Sequence, residues 1–371
     1  MIAVLLGGGV SLILSLLGTR YAIRVLSSKG YGQEIREDGP TTHHTKRGTP
    51  TMGGIVMIAS TVIAYAVAKL VTGQMPSASA LLLLFLFVGM GTVGFLDDFI
   101  KIYKQRNLGL RSKAKMIGQT VIALTFGALA LSPWLEDERG QTPASRHLSF
   151  LRDYDQWTLP VVLVLLLIWL FVTGFSNAVN LTDGLDGLAA GASMMVFGAY
   201  TLVNIWQANQ WCGQQNISYG QCYEVRDPLD LAVVAAALTG ACFGFLWWNA
   251  SPAQIFMGDT GSLSLGGAMA GFAILSRTEL LLAVLGGLFV IVTLSVMIQV
   301  GFFKASTHSG AIRKVFRVEK GHRVFRMAPI HHHFEMLGWE QVTVVIRFWI
   351  ITGLFVGAGM GIFYAEWVAG T

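Results

Sequence analysis

Charged side chains are scarce in this sequence: Asp, Glu, Lys and Arg make up 13% of its 371 residues, against 53% hydrophobic. A soluble domain carries about 25% charged residues, so that class is excluded and lipid is implied as the main solvent. Cysteine is nearly missing. Three residues, Cys212, Cys222 and Cys242, are too few for a disulfide scaffold or a cysteine-rich metal site. Cys242 falls in an apolar run and reads as inert core. Cys212 and Cys222 flank one polar loop, where they either pair in an oxidising compartment or stay free thiols. Proline is also sparse, at 9 residues. No Pro- or Ser-rich linker and no repeat of about 20–50 residues divides the chain, so 1–371 reads as one domain. A Walker A sequence is absent, which argues against ATP as substrate. Neither a Gly-x-Ser-x-Gly elbow nor a His-Glu-x-x-His helix is found, which argues against a lipase or zinc protease. Glycine, at 43 residues, is the abundant exception. Val88–Gly94 and Gly266–Gly271 read as surfaces where small residues let membrane helices approach closely.

Apolar runs of spanning length occur at 2–26, 52–72, 80–97, 114–132, 159–176, 188–207, 229–249, 262–276, 280–303 and 342–365. Each should be a helix, because backbone polar groups in lipid must be satisfied internally, and 262–276 should extend at one end. The first run has no small-residue cleavage site and reads as a span, not a removed signal peptide. The expected fold is therefore an all-α polytopic membrane protein with about ten transmembrane helices. Of the 26 Lys and Arg residues, twenty fall in or beside the loops after spans 1, 3 and 9, at the inner ends of span 1 and at the start of span 10. Only Lys69, Arg139, Arg146, Arg152, Arg226 and Arg277 lie on the other side. Positive charge marks the cytoplasmic face, which puts both termini outside. Residues 133–158 then form an outer polar loop with hairpin character.

The unusual polar clusters all lie at the cytoplasmic ends of spans. Span 3 closes on Asp97-Asp98, and carboxylates near hydrocarbon are costly. Adjacent helical residues project in different directions, so the two need not share a role; the plainer reading is an acid pair answering Lys101 and Lys104. Asn177, Asn180, Asp183, Gly184, Leu185, Asp186 and Gly187 lead into span 6. Thr182 or Asp183 is expected to cap that helix, and a helix N-terminus beside glycine suits phosphate or its metal. Asn249 opens a second such turn, which runs through Phe256 to Asp259. Asp259 reads either as an N-cap or as a ligand for a hard cation such as Mg²⁺, and Phe256 offers a face to a base. His331, His332 and His333 lack the spacing of a zinc site but can hydrogen-bond or carry protons beside phosphate. Lys46 and Lys113 can neutralise phosphate or simply belong to the positive inner face. Carboxylates, amide-rich turns, Lys and His together suit phosphoryl transfer at a membrane surface.

Lys46–Gly54, Phe95–Phe99, Asn177–Gly187, Phe256–Ser262 and Met327–Glu335 closely resemble the phospho-N-acetylmuramoyl-pentapeptide transferases. These belong to the wider polyprenyl-phosphate N-acetylhexosamine-1-phosphate transferase superfamily. The Asp-Asp pair and the Asn-x-x-Asn-Leu-x-Asp-Gly-x-Asp-Gly stretch are superfamily-wide, while Thr49–Gly54 and Pro329–Glu335 are specific to the muramoyl branch. The resemblance runs from Gly32 to Trp349. It implies a multi-pass enzyme of the bacterial cytoplasmic membrane that moves phospho-MurNAc-pentapeptide from UDP-MurNAc-pentapeptide to undecaprenyl phosphate. The products would be lipid I, for peptidoglycan, and UMP. It further implies Mg²⁺ as cofactor, a homodimer and no nucleic-acid partner. By the same resemblance Asp259 would hold the metal, with Asp97, Asp98 and His332 in catalysis. Asn177, Asn180, Asp183, Gly184, Leu185, Asp186, Asn249 and Phe256 would line the uridine and diphosphate pocket. Lys46, Thr51, Lys113, Gln299 and His331 would complete the nucleotide-sugar side. A direct attack and an aspartyl-phosphate intermediate both remain open.

The chain departs from the family at Lys304–Arg326, which is longer than the usual connection; the extra residues, 305–320, suit either a surface on anionic lipid or the rim of the sugar-peptide site. A GlcNAc-1-phosphate transferase is the nearest rival reading. A proton-coupled transporter is the rival of another class, and it is disfavoured because transport sites lie near the midplane whereas these acids sit at one rim.

Overall fold

The computed structural model describes residues 1–28, 48–104, 109–212 and 222–369. Its helices run in the order α1 (Ile2–Ser28), α2 (Gly54–Thr72), α3 (Ala78–Tyr103), α4 (Ser112–Ala130), α5 (Val161–Thr182), α6 (Leu188–Asn209) and α7 (Pro228–Asn249). They continue with α8 (Gly258–Leu275), α9 (Glu279–Leu285), α10 (Gly287–His308), the short α11 (Gly310–Phe316) and α12 (Ile330–Glu335), and α13 (Gln341–Ala369). Between α4 and α5 lies a two-stranded antiparallel hairpin, β1 (His147–Ser149) with β2 (Asp153–Thr158), as the loop at 133–158 had suggested.

Eight of these helices, α1, α2, α3, α5, α6, α7, α10 and α13, are long and apolar enough to cross a membrane. α4 and α8 are the two remaining long helices, and their composition has a local reason. α4 opens with Lys113 and Lys115, and α8 is rich in Gly and Ser. α8 is buried from Thr260 to Leu275, mainly against α3 and α5, so protein surrounds it and it needs no oily surface. It begins four residues before the apolar run, at Gly258. The ninth run is interrupted: α9 stops at Gly286 and α10 resumes at Gly287.

Close helix approach depends on glycine. A Cβ on Gly266 of α8 would collide with the backbone of Phe175 and Ser176 on α5. A Cβ on Gly94 of α3 would strike the Asp259 and Thr260 backbone. We therefore expect Gly94→Ala to push α8 off α3, lowering the thermal midpoint and, because Asp259 moves with it, activity as well. An activity loss without any loss of stability would contradict this.

At the far end from Asp259, Asp230 is buried. It accepts from Lys69 Nζ, Tyr65 Oη and the Ser77 amide, each at 2.8 Å. Ser77 also caps α3, accepting from the Ala80 amide. Cys212 and Cys222 form a disulfide, which decides the alternative left open by sequence. Arg152, in the turn of the hairpin, donates to the Cys222 carbonyl at 3.0 Å and lies over the Tyr223 ring. The hairpin and the disulfide loop are thus tied together.

Candidate active site

The last turn of α3 and the first turn of α8 meet, and three carboxylates come together there. Oxygens of Asp97, Asp98 and Asp259 lie within 4.8 Å of one another. Such crowding needs positive charge. Lys101 Nζ stands 2.6 Å from Asp97, 3.0 Å from Asp259 and 3.5 Å from Asp98. Lys115, from the first turn of α4, reaches the same Asp259 oxygen at 2.8 Å. The other Asp259 oxygen accepts from Asn180 Nδ2 at 2.7 Å, and that amide also donates to Ser262.

The neighbouring acids differ as their directions on the helix foretell. Asp98 accepts from the Asp259 amide (3.1 Å), the Thr260 amide (2.9 Å) and the Thr260 hydroxyl (2.8 Å). It therefore satisfies the free N–H groups that open α8. Asp97 accepts from the Leu110 amide at 2.8 Å on one oxygen and meets Lys101 with the other. Asp259 is the second residue of α8, which begins beyond Met257, so it is not the N-cap.

Main-chain and amide contacts join the other motif stretches to this centre. The Phe256 amide donates to the Pro50 carbonyl, while Gly53 and Gly54 donate to the Phe256 and Met257 carbonyls. Phe256 itself is half-buried, and Thr51 is buried near Gly258. Asn249 accepts from the Gly187 amide and donates to the Ile255 carbonyl, and Asp186 accepts from the Ala253 amide. These side chains hold the turn at 183–187 against the turn at 250–257. Leu185 is buried beneath it. Gly187, at φ +78°, caps α6 with no side-chain cap. The expected cap by Thr182 or Asp183 is corrected: Thr182 bonds back to the Ala178 carbonyl. Burial, then the charges of Asp259, Asp98 and Asp186, push the Asp183 carboxyl up to about 8.

α12 lies over the same turn. A Cβ on Gly184 would collide with the His331 ring and crowd that of His332, so glycine lets the rings approach. His332 Nδ1 bonds Glu335 at 2.6 Å, which leaves Nε2 toward the turn. Gln299 donates to and accepts from the Phe325 backbone and so fixes the segment leading to α12. Lys46 lies outside the described residues. Lys113 is exposed on α4, and the cation that reaches the centre from this turn is Lys115. Asn177 donates to Gln119 Oε1 at 2.9 Å and to the Thr173 carbonyl.

Among the described residues, the donor set at the centre is all oxygen, from three carboxylates. Hard divalent cations take such ligands, and the two ammonium groups mark where positive charge is required. The residues fit Mg²⁺.

Two family models match. One described as glycosyl transferase family 4 covers residues 79–277. A phospho-N-acetylmuramoyl-pentapeptide-transferase signature covers 46–58. A phospho-N-acetylmuramoyl-pentapeptide-transferase of Nocardioides sp. is 72% identical over 369 residues, covering 99% of both chains. The chain belongs to the phospho-N-acetylmuramoyl-pentapeptide-transferase family. Members from Cutibacterium acnes and Streptomyces avermitilis are 60% and 57% identical, again over 99% of this chain and 99% and 98% of their own.

Sequence reasoning passed over three residues that this transferase-family site uses: Lys101, seen only as a counter-charge, Lys115 and Gln119. Gln119 is fully buried and stands one turn beyond Lys115, as Asn177 stands one turn before Asn180. The Gln119–Asn177 pair thus sets the register of α4 against α5, and with it the two donors on Asp259. Gln119→Leu is expected to lower kcat about tenfold, on the scale of lost outer-shell support, with Gln119→Glu recovering part of it. Equal kcat in the Leu variant would refute that role.

Proposed function

We infer that the chain transfers phospho-MurNAc-pentapeptide from UDP-MurNAc-pentapeptide to undecaprenyl phosphate, releasing UMP and forming lipid I. The observation that carries this is the carboxylate centre around Asp259, joined through the 183–187 turn to the histidine helix, in a chain of this family. α4 and α8 bring the membrane crossings to ten. With the basic loops facing the cytoplasm, both termini lie outside and the site opens on the inner face of the bacterial cytoplasmic membrane. The family resemblance adds that the enzyme works as a homodimer.

Asp259 would hold Mg²⁺, with Asp97 and Asp98 beside it in the same carboxylate cluster; when bound, the ion would supply positive charge to neutralise and orient the diphosphate. Lys101 and Lys115 face the same phosphates. Asp98 is committed to the start of α8, so Asp97 is the better base. It takes the proton of the lipid phosphate, whose oxygen then forms a bond to the sugar-linked phosphorus while the bond to UMP breaks. UMP leaves with the electron pair. His331 and His332 orient the sugar-phosphate side, Phe256 packs on the uracil, and Asn180 and Asp183 line the diphosphate. Lys46, Thr51 and the turn at 183–187 complete the nucleotide pocket.

UMP release by the purified chain tests this. With undecaprenyl phosphate and Mg²⁺, UDP-MurNAc-pentapeptide should be consumed one-for-one with UMP formed, and UDP-GlcNAc should be a poor donor. Preference for UDP-GlcNAc would move the chain to the sibling GlcNAc-1-phosphate transferases. Lys115→Ala should cut kcat about 100-fold, the size expected for one charge-stabilising donor.

A further inference from the structure

The segment between α10 and α12 meets the site described above at its C-terminal end, where Phe325 is held by Gln299. From Lys304 to Arg326 it carries seven Lys and Arg residues and a single acid, Glu319. The chain folds back on α10 here. Arg313 donates to the carbonyls of Ser306 and Thr307 at the end of α10, and the His322 amide donates to Ser306 Oγ. Phe316 meets Phe302 edge-to-face, with centroids 5.4 Å apart. α11 is thereby folded back against the last turns of α10. There Val315 is 74% exposed and Phe316 60% exposed. Arg317, Lys320 and Arg323 stand exposed around them. Exposed apolar side chains beside exposed positive charge are what an interfacial anchor presents to a lipid surface.

We propose that α11 and the turn after it form a docking surface for anionic phospholipid headgroups of the inner leaflet, with Val315 and Phe316 inserted and Arg317, Lys320 and Arg323 on the phosphates. Charge complementarity selects this occupant. The inner leaflet is anionic, and basic segments next to a membrane helix are drawn to it within a Debye length. A rim for the sugar-peptide part of the donor would instead need polar groups directed inward, whereas the exposed side chains here are mainly apolar and cationic, with Glu319 the one exposed acid. The inference does not depend on the transfer reaction.

The test uses the full chain in nanodiscs of phosphatidylcholine, with or without phosphatidylglycerol. Phosphatidylglycerol should raise the thermal midpoint, high salt should diminish that rise, and the triple variant R317Q/K320Q/R323Q should lose most of it. The triple variant should keep the unaltered chain's midpoint and donor KM in phosphatidylcholine alone. V315C carrying an environment-sensitive dye should be quenched by lipid-borne nitroxide. An equal phosphatidylglycerol effect in the triple variant would overturn the proposal, as would a dye quenched only from water. A raised donor KM with an unchanged lipid effect would assign the segment to the donor rim instead.

Discussion

Asp259→Asn is expected to lower UMP release by about 10³-fold or more, at the upper end of what one charge-stabilising group contributes. The carboxylate faces Lys101 at 3.0 Å, Lys115 at 2.8 Å and Asn180 at 2.7 Å. All three are donors. An amide in its place brings a fourth donor among them and removes one of the three oxygen ligands a divalent cation would use. Folding should survive, because the start of α8 is held by Asp98 through the main-chain amides of residues 259 and 260, which the substitution leaves intact. The measurement is kcat for UMP release at saturating Mg²⁺, beside the thermal midpoint of the same preparation. A variant with ordinary turnover would remove Asp259 from the reacting centre.

The largest stability effect should come from the opposite end of the molecule. Asp230→Ala strands Lys69, Tyr65 and the Ser77 amide together. Lys69 and Asp230 are 8% and 10% exposed as side chains, so solvent cannot replace the lost partner. Removing one half of a buried pair costs about 3–5 kcal/mol, whereas replacing both halves by apolar residues is often neutral. The double variant K69M/D230L should therefore regain much of the lost thermal midpoint. Turnover per folded molecule should be unchanged in both, since the network lies at the start of α3 and the carboxylate centre at its end. A double variant less stable than Asp230→Ala would contradict this account.

How much was legible in the sequence follows from what each residue costs. Asp97, Asp98 and Asp259 stood out because carboxylates beside hydrocarbon are expensive, and they do converge. The spans were legible wherever helices face lipid. α8 was recognisable only in part, because a helix enclosed by protein can be built of Gly and Ser, and the run appeared shorter than the helix is. The break at Gly286 left no mark on the hydropathy.

Lys115 was illegible for another reason. Positive-inside bias makes Lys113 and Lys115 equivalent on paper, yet two residues on a helix point about 200° apart, and only the packing of α4 on α3 and α5 says which turns inward. Gln119 had one available signal: an amide inside an apolar run, on the face that carries Lys115 four residues earlier. Asp98's hold on α8 spans 162 residues of sequence to Thr260, and no local pattern encodes it. The disulfide was undecidable until Cys212 and Cys222 were seen paired.

The central claim is that the turn before Asp259 and the histidine helix share one inward face. Single cysteines at Ser251, beside that turn, at Leu337, just past α12, and at Trp134, on the outer loop, test it most directly; all three positions are exposed. Native background is low, since Cys242 is buried and the other two cysteines are bonded. A membrane-impermeant thiol reagent should label S251C and L337C only in inverted vesicles and W134C only in right-side-out ones. Labelling of S251C and L337C from opposite sides would contradict the account.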